Sequence, residues 1–188
     1  TRLVLEEHES VAFVIVGSGP NGSNPHHDFS DRVLEVGDPV VVDIGGVLAS
    51  GYQSDCTRTY VVGGRDEAPA DFREAYAVLE NAFAAACEAA RPGVTAGQLD
   101  AVARGVIADA GYGEWFTHRL GHGIGLSGHE QPFIIAGSDV VLREGMAFSI
   151  EPGIYKPGAW GMRIEDIVRL TDSGIETFNR TRRDLGVS

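Results

Sequence analysis

Cysteine is scarce in this chain: Cys56 and Cys87 are the two among 188 residues. Two thiols cannot build a disulfide framework, so the fold must rest on a buried core. No apolar run approaches the roughly 18–20 residues of a membrane span. No secretory leader is recognisable either, and a reducing, cytoplasmic setting is expected. Positive charge is also short, with 15 Lys and Arg against 27 Asp and Glu and a net charge of −12. That balance argues against nucleic acid or an anionic membrane as partner. An initiator methionine is missing too: the chain opens Thr1-Arg2 and soon enters the apolar run at 11–16. Upstream sequence is therefore expected to have been cut away.

What the chain does have is an internal echo. Val33-Leu34-Glu35-Val36-Gly37-Asp38 leads through an apolar run to Asp43, and Val141-Leu142-Arg143-Glu144-Gly145-Met146 leads through another to Glu151. In both copies the acid follows the turn glycine by six residues. A further acid follows in each, Asp55 twelve residues after Asp43 and Glu165 fourteen after Glu151. This is one unit used twice, with two carboxylates per copy. Add His122, set in Gly121-His122-Gly123-Ile124-Gly125, and the set can hold two divalent cations close together. Such a pair points to metal-assisted hydrolysis.

An apolar fraction of 43% and a charged fraction of 22% suit a single globular domain over 1–188. The β-branched run at 11–16 predicts a buried strand. A glycine- and proline-rich loop then delivers His26 and His27. Residues 40–44 and 54–62 predict a hairpin. The period changes at Phe72, Tyr76, Leu79, Phe83, Ala86 and Ala90, which recur at steps of three and four as on an amphipathic helix. Arg91-Pro92-Gly93 stops it. Thr95 and Gln98 form a capping box for a second helix, with Leu99, Val102 or Ala103, Val106 and Ala110 as its buried stripe and Gly111 closing it. Strands follow around 118–126, 147–150 and 162–170. If the first strand set copies the second, a helix pair should precede it, and residues 1–10 are expected to be its tail.

Asp43 and Glu151 each end a strongly apolar strand, where an unpaired carboxylate would protonate unless ion-paired or metal-bound. At equivalent places in a repeat they are read as ligands. Asp55 and Glu165 lie near Arg58 and Arg163, which make plain ion pairs or orient the ligands. His122 sits between glycines that let the backbone pass close to an ion, and it is the imidazole ligand. His118 and His129 are kept for substrate. His8 has no sequence partner and is assigned to the surface. Cys56 is read as a small buried residue rather than a ligand.

These segments resemble the pita-bread metallopeptidases, and within them the Xaa-Pro branch of aminopeptidase P and prolidase. The resemblance is carried by Thr117-His118-Arg119-Leu120-Gly121-His122-Gly123-Ile124-Gly125-Leu126, His129-Glu130-Gln131-Pro132, Phe148-Ser149-Ile150-Glu151-Pro152-Gly153-Ile154-Tyr155 and Arg163-Ile164-Glu165-Asp166. Pro25-His26, Val42-Asp43-Ile44-Gly45 and Ser54-Asp55-Cys56-Thr57-Arg58-Thr59 extend it over roughly residues 11–180. It implies an α+β pita-bread fold: a pseudo-two-fold repeat of helices on an antiparallel-rich curved sheet. The first helical pair is missing, so 1–188 is expected to be an N-terminally truncated catalytic domain. The extra residue of the Asp43–Asp55 hairpin is placed in the turn at 47–50, because a slip within a strand would flip a side chain.

The resemblance further implies two divalent metal ions held by Asp43, Asp55, His122, Glu151 and Glu165, with Asp55 and Glu165 shared by both. Oxygen-rich ligation favours manganese, with cobalt, zinc and iron also compatible. His26, His118, His129 and Arg163 fall on substrate-site or supporting positions. Glu151 is the expected proton shuttle, and His129 the donor to a tetrahedral oxyanion. The substrate is a small peptide with proline second; a homodimer is compatible with the sequence. A methionine aminopeptidase shares this ligand set, but Thr57-Arg58-Thr59 and the segment around Glu165 look like the Xaa-Pro branch. A non-catalytic peptide-binding relative or a metal-free creatinase-type hydrolase would have lost ligands, and all five positions are kept.

Overall fold

The protein is described by a computed structural model over residues 1–185. Strand β1 (Ser10–Ser18) pairs antiparallel with β2 (Pro39–Val47), and β2 with β3 (Gln53–Val61), in the order β1-β2-β3. Two helices follow, α1 (Ala70–Ala89) and α2 (Ala96–Asp109). The second strand set comprises β4 (Gly121–Gly123), β5 (Glu130–Ile134), β6 (Ala147–Ile150), β7 (Gly153–Lys156), β8 (Trp160–Arg163), β9 (Asp166–Thr171) and β10 (Gly174–Thr177). Its main sheet runs β10-β9-β6-β4-β5, with β7 and β8 as a separate ribbon.

The echo in the sequence is an echo in the backbone. Gly37 and Gly145 both adopt left-handed φ, 90° and 85°, which glycine alone reaches without strain. The Gly37 N–H donates to Val62 O at 2.8 Å, and the Gly145 N–H to Leu170 O at 2.9 Å. Each turn then launches an apolar strand, β2 or β6, paired with the strand bearing or following the second acid. The halves meet along β3, β8 and β9. There the Glu165 N–H donates to Thr57 O at 3.1 Å, and the Thr59 hydroxyl both receives from Arg163 N–H and donates to Arg163 O.

Helix α1 buries Phe72, Tyr76, Leu79, Phe83 and Ala86 as its spacing predicts. The Thr95–Gln98 capping box forms at the start of α2. The stripe of α2 differs at its end: Leu99, Ala103 and Ile107 are buried, whereas Val106 is half-buried and Ala110 exposed. The inward face advances by four at each step, which selects Ile107. Both helices pack on the second half, and there the apolar core forms.

Two expectations for the first half are corrected. Strand β1 is not buried on both faces: Val14 and Val16 are 40% and 45% exposed, because no described element covers that face of the sheet. Its inward residues are Phe13 and Ile15. Residues 1–10 carry the short 3-10 turn Val4–Glu6 instead of a helix tail. This turn lets His8 Nδ1–H donate to Val4 O at 2.9 Å while Nε2 pairs with Ser54 Oγ at 2.7 Å, so His8 is partnered and half-buried. The hairpin ladder runs unbroken from Pro39–Val61 to Val47–Gln53, leaving the turn to absorb any added length.

Candidate metal centre

The β2–β3 register sets Asp43 opposite Thr57 and Gly45 opposite Asp55. Alternation then points Asp43, Asp55 and Thr57 to one face of the sheet. From the other half, β6 ends at Glu151, and Glu165 stands between β8 and β9. His122 is the middle residue of β4, which pairs with β6. The backbone thereby carries all five residues to one place: His122 Nε2 lies 3.2 Å from Glu151 Oε1 and 3.7 Å from Asp55 Oδ2. Asp55, His122 and Glu165 each offer a ligand atom within 4.8 Å of the others. Asp43, Asp55, Glu151 and Glu165 line one cavity of about 320 Å³.

Neighbouring side chains aim these groups. His122 Nδ1 is engaged by Gly123 O at 3.0 Å, which turns Nε2 toward the acids. The Ser149 hydroxyl donates to Glu151 Oε1 at 2.9 Å, and the Thr57 hydroxyl to Glu165 Oε2 at 2.7 Å. Arg163 does not pair with Glu165; its Nη2 meets Asp43 Oδ2 at 2.6 Å. Arg58 instead binds Asp166 Oδ1 at 2.7 Å and the Glu165 backbone oxygen at 2.5 Å. The glycines around His122 have a different reason from the one expected. A Cβ on Gly121 would clash with the backbone oxygen of Ser149, and one on Gly123 with that of Gln131. Neighbouring strands, not an ion, require them.

Do these residues fit a cation? Asp43 Oδ1, Asp55 Oδ1 and Glu165 Oε1 are sealed from solvent and have no hydrogen-bond partner among the described residues. Bare buried anions are costly. Burial, followed by the charges of Asp43 and Glu151, pushes the Asp55 carboxyl up to about 8. Burial, then Asp55, Glu151 and Asp43, drives Glu165 well above the carboxylate range. Burial would raise Glu151 too, but the hydrogen bond and charge of His122 and the Arg163 guanidinium outweigh that and hold it at about 2. The protein alone cannot keep this many anions ionised. Carboxylates plus one imidazole suit divalent cations, so the residues fit the group.

The remaining predicted residues sit around the same cavity. The His129 ring lies 4.0 Å from that of His122, centroid to centroid. His26 is exposed at the cavity rim, its loop tied down where Arg163 Nη1 meets Pro25 O at 3.3 Å. His118 is held by Arg119 O at 2.7 Å and by the Tyr155 hydroxyl at 3.0 Å. Burial lowers its pKa to about 4, so it is neutral. Sequence reasoning missed the supporting Thr57, Ser149 and Tyr155. Thr57 and Ser149 were within reach: each stands two residues from a candidate ligand, on the same strand face. Tyr155, which also accepts from Arg163 Nη1 at 2.5 Å, carries no comparable signal.

A model of metallopeptidase family M24 matches residues 2–172. The probable dipeptidase PepE of Mycobacterium tuberculosis is 58% identical over 183 residues, covering 97% of this chain and 48% of that protein. The crystal structure of dipeptidase PepE from Mycobacterium ulcerans superposes with a TM-score of 0.92 at 57% identity, over 97% of this chain and 48% of its own. The prolidase of Pyrococcus horikoshii gives 0.92 at 43%, over 97% and 52%. The fold of these neighbours is the pita-bread fold. The chain spans about half the length of the relatives it matches, 48% of the first.

Proposed function

This chain belongs to metallopeptidase family M24, and on that footing we propose that residues 1–188 are a dinuclear-metal catalytic domain cutting the bond before proline at a peptide N-terminus. The observation that carries the reading is the set of three orphaned carboxylate oxygens beside His122. Asp43, Asp55, His122, Glu151 and Glu165 would hold the two ions. Bound there, divalent cations would acidify a water and polarise a peptide carbonyl. The oxygen-rich donor set favours manganese. The two free thiols, Cys56 and Cys87, favour a reducing, cytoplasmic setting.

The side chains divide the remaining work. Glu151, ionised and lining the cavity, takes the proton of the attacking water and delivers it to the departing proline nitrogen. His129 donates to the oxyanion that forms at the scissile carbon. His118 has both ring nitrogens engaged, so it offers its ring edge to substrate and fixes Tyr155. Arg163 orients Asp43, and His26 closes the rim. Protein loaded with Mn²⁺ should retain two ions per chain by elemental analysis and cleave Ala-Pro or Ala-Pro-Ala in preference to Met-Ala-Ser. Absence of bound metal, or preference for Met-Ala-Ser, overturns the reading.

A further inference from the structure

Strand β3 is an edge of its sheet, so alternate residues along it turn their backbone groups away from β2 and toward the other half of the chain. Three contacts across that seam step by two residues in opposite directions, as antiparallel strands do: Thr59 with Arg163, Thr57 with Glu165, Asp55 with Ile167. Each is made differently. At the first, the Thr59 hydroxyl stands in for backbone and bonds both Arg163 N–H and Arg163 O. At the second, Thr57 O accepts the Glu165 N–H directly at 3.1 Å. At the third, Asp55 O and the Ile167 N–H are joined through the side chain of Asn179. Its Oδ1 accepts the Ile167 N–H at 2.6 Å, and its Nδ2 donates to Asp55 O at 2.8 Å. A carboxamide carries the donor and the acceptor of a peptide group, so Asn179 is an inserted rung where the strands part. It is itself held on both sides. The Phe178 N–H donates to Ile167 O at 2.9 Å, and Arg58 binds Thr181 O at 2.8 Å and Arg182 O at 3.0 Å.

The rung lies where the acids need it. Asp55 and Glu165 each offer a ligand atom to the same small cluster with His122, one from each half of the chain. Each also has a sealed oxygen without a partner among the described residues. Like charges this close repel, and they gain nothing from each other that would hold their strands at a fixed distance. The backbone must hold it. The Thr57–Glu165 bond does so on one side of the pair and the Asn179 bridge on the other. Resting on the metal-centre reading above, we propose that Asn179 is a positioning residue: by bridging Asp55 O and the Ile167 N–H it sets the spacing of the Asp55 and Glu165 carboxylates, and with it the affinity for divalent cations. Asn179 does not line the cavity and acts only through the backbone of the two acid-bearing segments.

The test is calorimetric titration of the chain with Mn²⁺, for wild type, Asn179→Asp, Asn179→Ala and Ile107→Val. Asn179→Asp keeps the acceptor for the Ile167 N–H and removes the donor to Asp55 O; Asn179→Ala removes both. Each should raise the Kd for Mn²⁺ about tenfold to hundredfold, as the loss of a group that orients ligands does. Ile107→Val trims the core beneath α2 away from the cavity and should keep the wild-type Kd. A merely structural role would lower the melting temperature of the Asn179 variants and leave their Kd unchanged; that result overturns the proposal. So does a wild-type Kd in Asn179→Asp, a loss confined to Asn179→Asp, or an equal loss in Ile107→Val. Should the wild type bind no Mn²⁺, the metal-centre reading fails on its own. Amide exchange in the same proteins then decides the bridge. The Glu165 N–H, measured against the Leu99 N–H of α2 in the same sample, should exchange at least about tenfold faster in both Asn179 variants. An unchanged ratio refutes it.

Discussion

Arg163 Nη2 and Asp43 Oδ2 lie 2.6 Å apart although 120 residues separate them in the chain. One comes from each half of the repeat, and both are buried. The pair therefore closes the two halves over the cavity and neutralises one acid of a site crowded with them. It leaves Asp43 Oδ1 without a partner among the described residues.

Arg163→Met should be strongly destabilising, by about 3–5 kcal/mol, since it strands a buried carboxylate. Adding Asp43→Asn should recover part of that loss by removing the stranded charge. Urea midpoints of the metal-free proteins test both. Additive losses in the double variant would show that the two residues do not interact.

The glycines give an oppositely signed pair of outcomes. Gly121→Ala forces a methyl into the backbone oxygen of Ser149, and backbone cannot yield as a flexible side chain does. A loss of about 3 kcal/mol is expected, together with displacement of His122. Gly105→Ala meets nothing within 4 Å and lies inside α2. It should stabilise the chain by about 0.5–1 kcal/mol through helix propensity and lost unfolded-state freedom. Thermal melts of the two variants check the signs.

The fold and the candidate ligands were legible because both rest on local periodicity and repetition. The step of six from Gly37 to Asp43 and from Gly145 to Glu151 is one turn plus one strand, used twice. The face of α1 follows from spacing alone. Partner choice was not legible. That Arg163 pairs with Asp43, and Arg58 with Asp166, depends on how β8 and β9 lie against β3, which no spacing encodes. Exposure of β1 was misread for a related reason. A run of apolar residues states what a strand could bury, not whether something packs on its second face.

Asp100 should matter to the site without touching it. It is fully buried in α2, accepts the Leu120 N–H at 3.0 Å, and holds Arg104, whose nitrogens bond the backbone oxygens of Phe116 and His118 at 2.9 and 2.8 Å. Leu120 O in turn receives the Glu151 N–H at 2.8 Å. Asp100→Asn should cost about 2–3 kcal/mol, as a charged hydrogen-bond centre is lost, and should lower turnover by loosening His118 and Glu151 together. Denaturation and steady-state kinetics measure the two effects. Unchanged turnover in a destabilised variant would confine Asp100 to stability.

Metal-free protein should lose stability as pH rises from about 6.5 to 8. An acid whose folded pKa is raised keeps a proton that the unfolded chain has released, so the native state binds more protons and stability falls with pH. Asp55, pushed to about 8, acts in this sense, and Glu165 with it. His122 adds to the trend: burial pulls it down, but the Glu151 hydrogen bond wins and raises it, and its stabilisation disappears as pH climbs through the folded value. Below pH 6.5 the lowered His118 and His129 oppose this, because the unfolded chain then protonates imidazoles that the fold keeps neutral. Their opposition fades as the unfolded imidazoles lose their protons and is gone by about pH 7.5, where they are neutral in both states. Each group that changes state contributes up to about 1.4 kcal/mol per pH unit. Divalent cations require the deprotonated carboxylates, so loading with Mn²⁺ should flatten the slope and stabilise the chain most at pH 8. Urea midpoints at pH 6.5, 7.2 and 8, with chelator and with Mn²⁺, measure it; a level curve in chelator would mean that these carboxyls hold no extra protons.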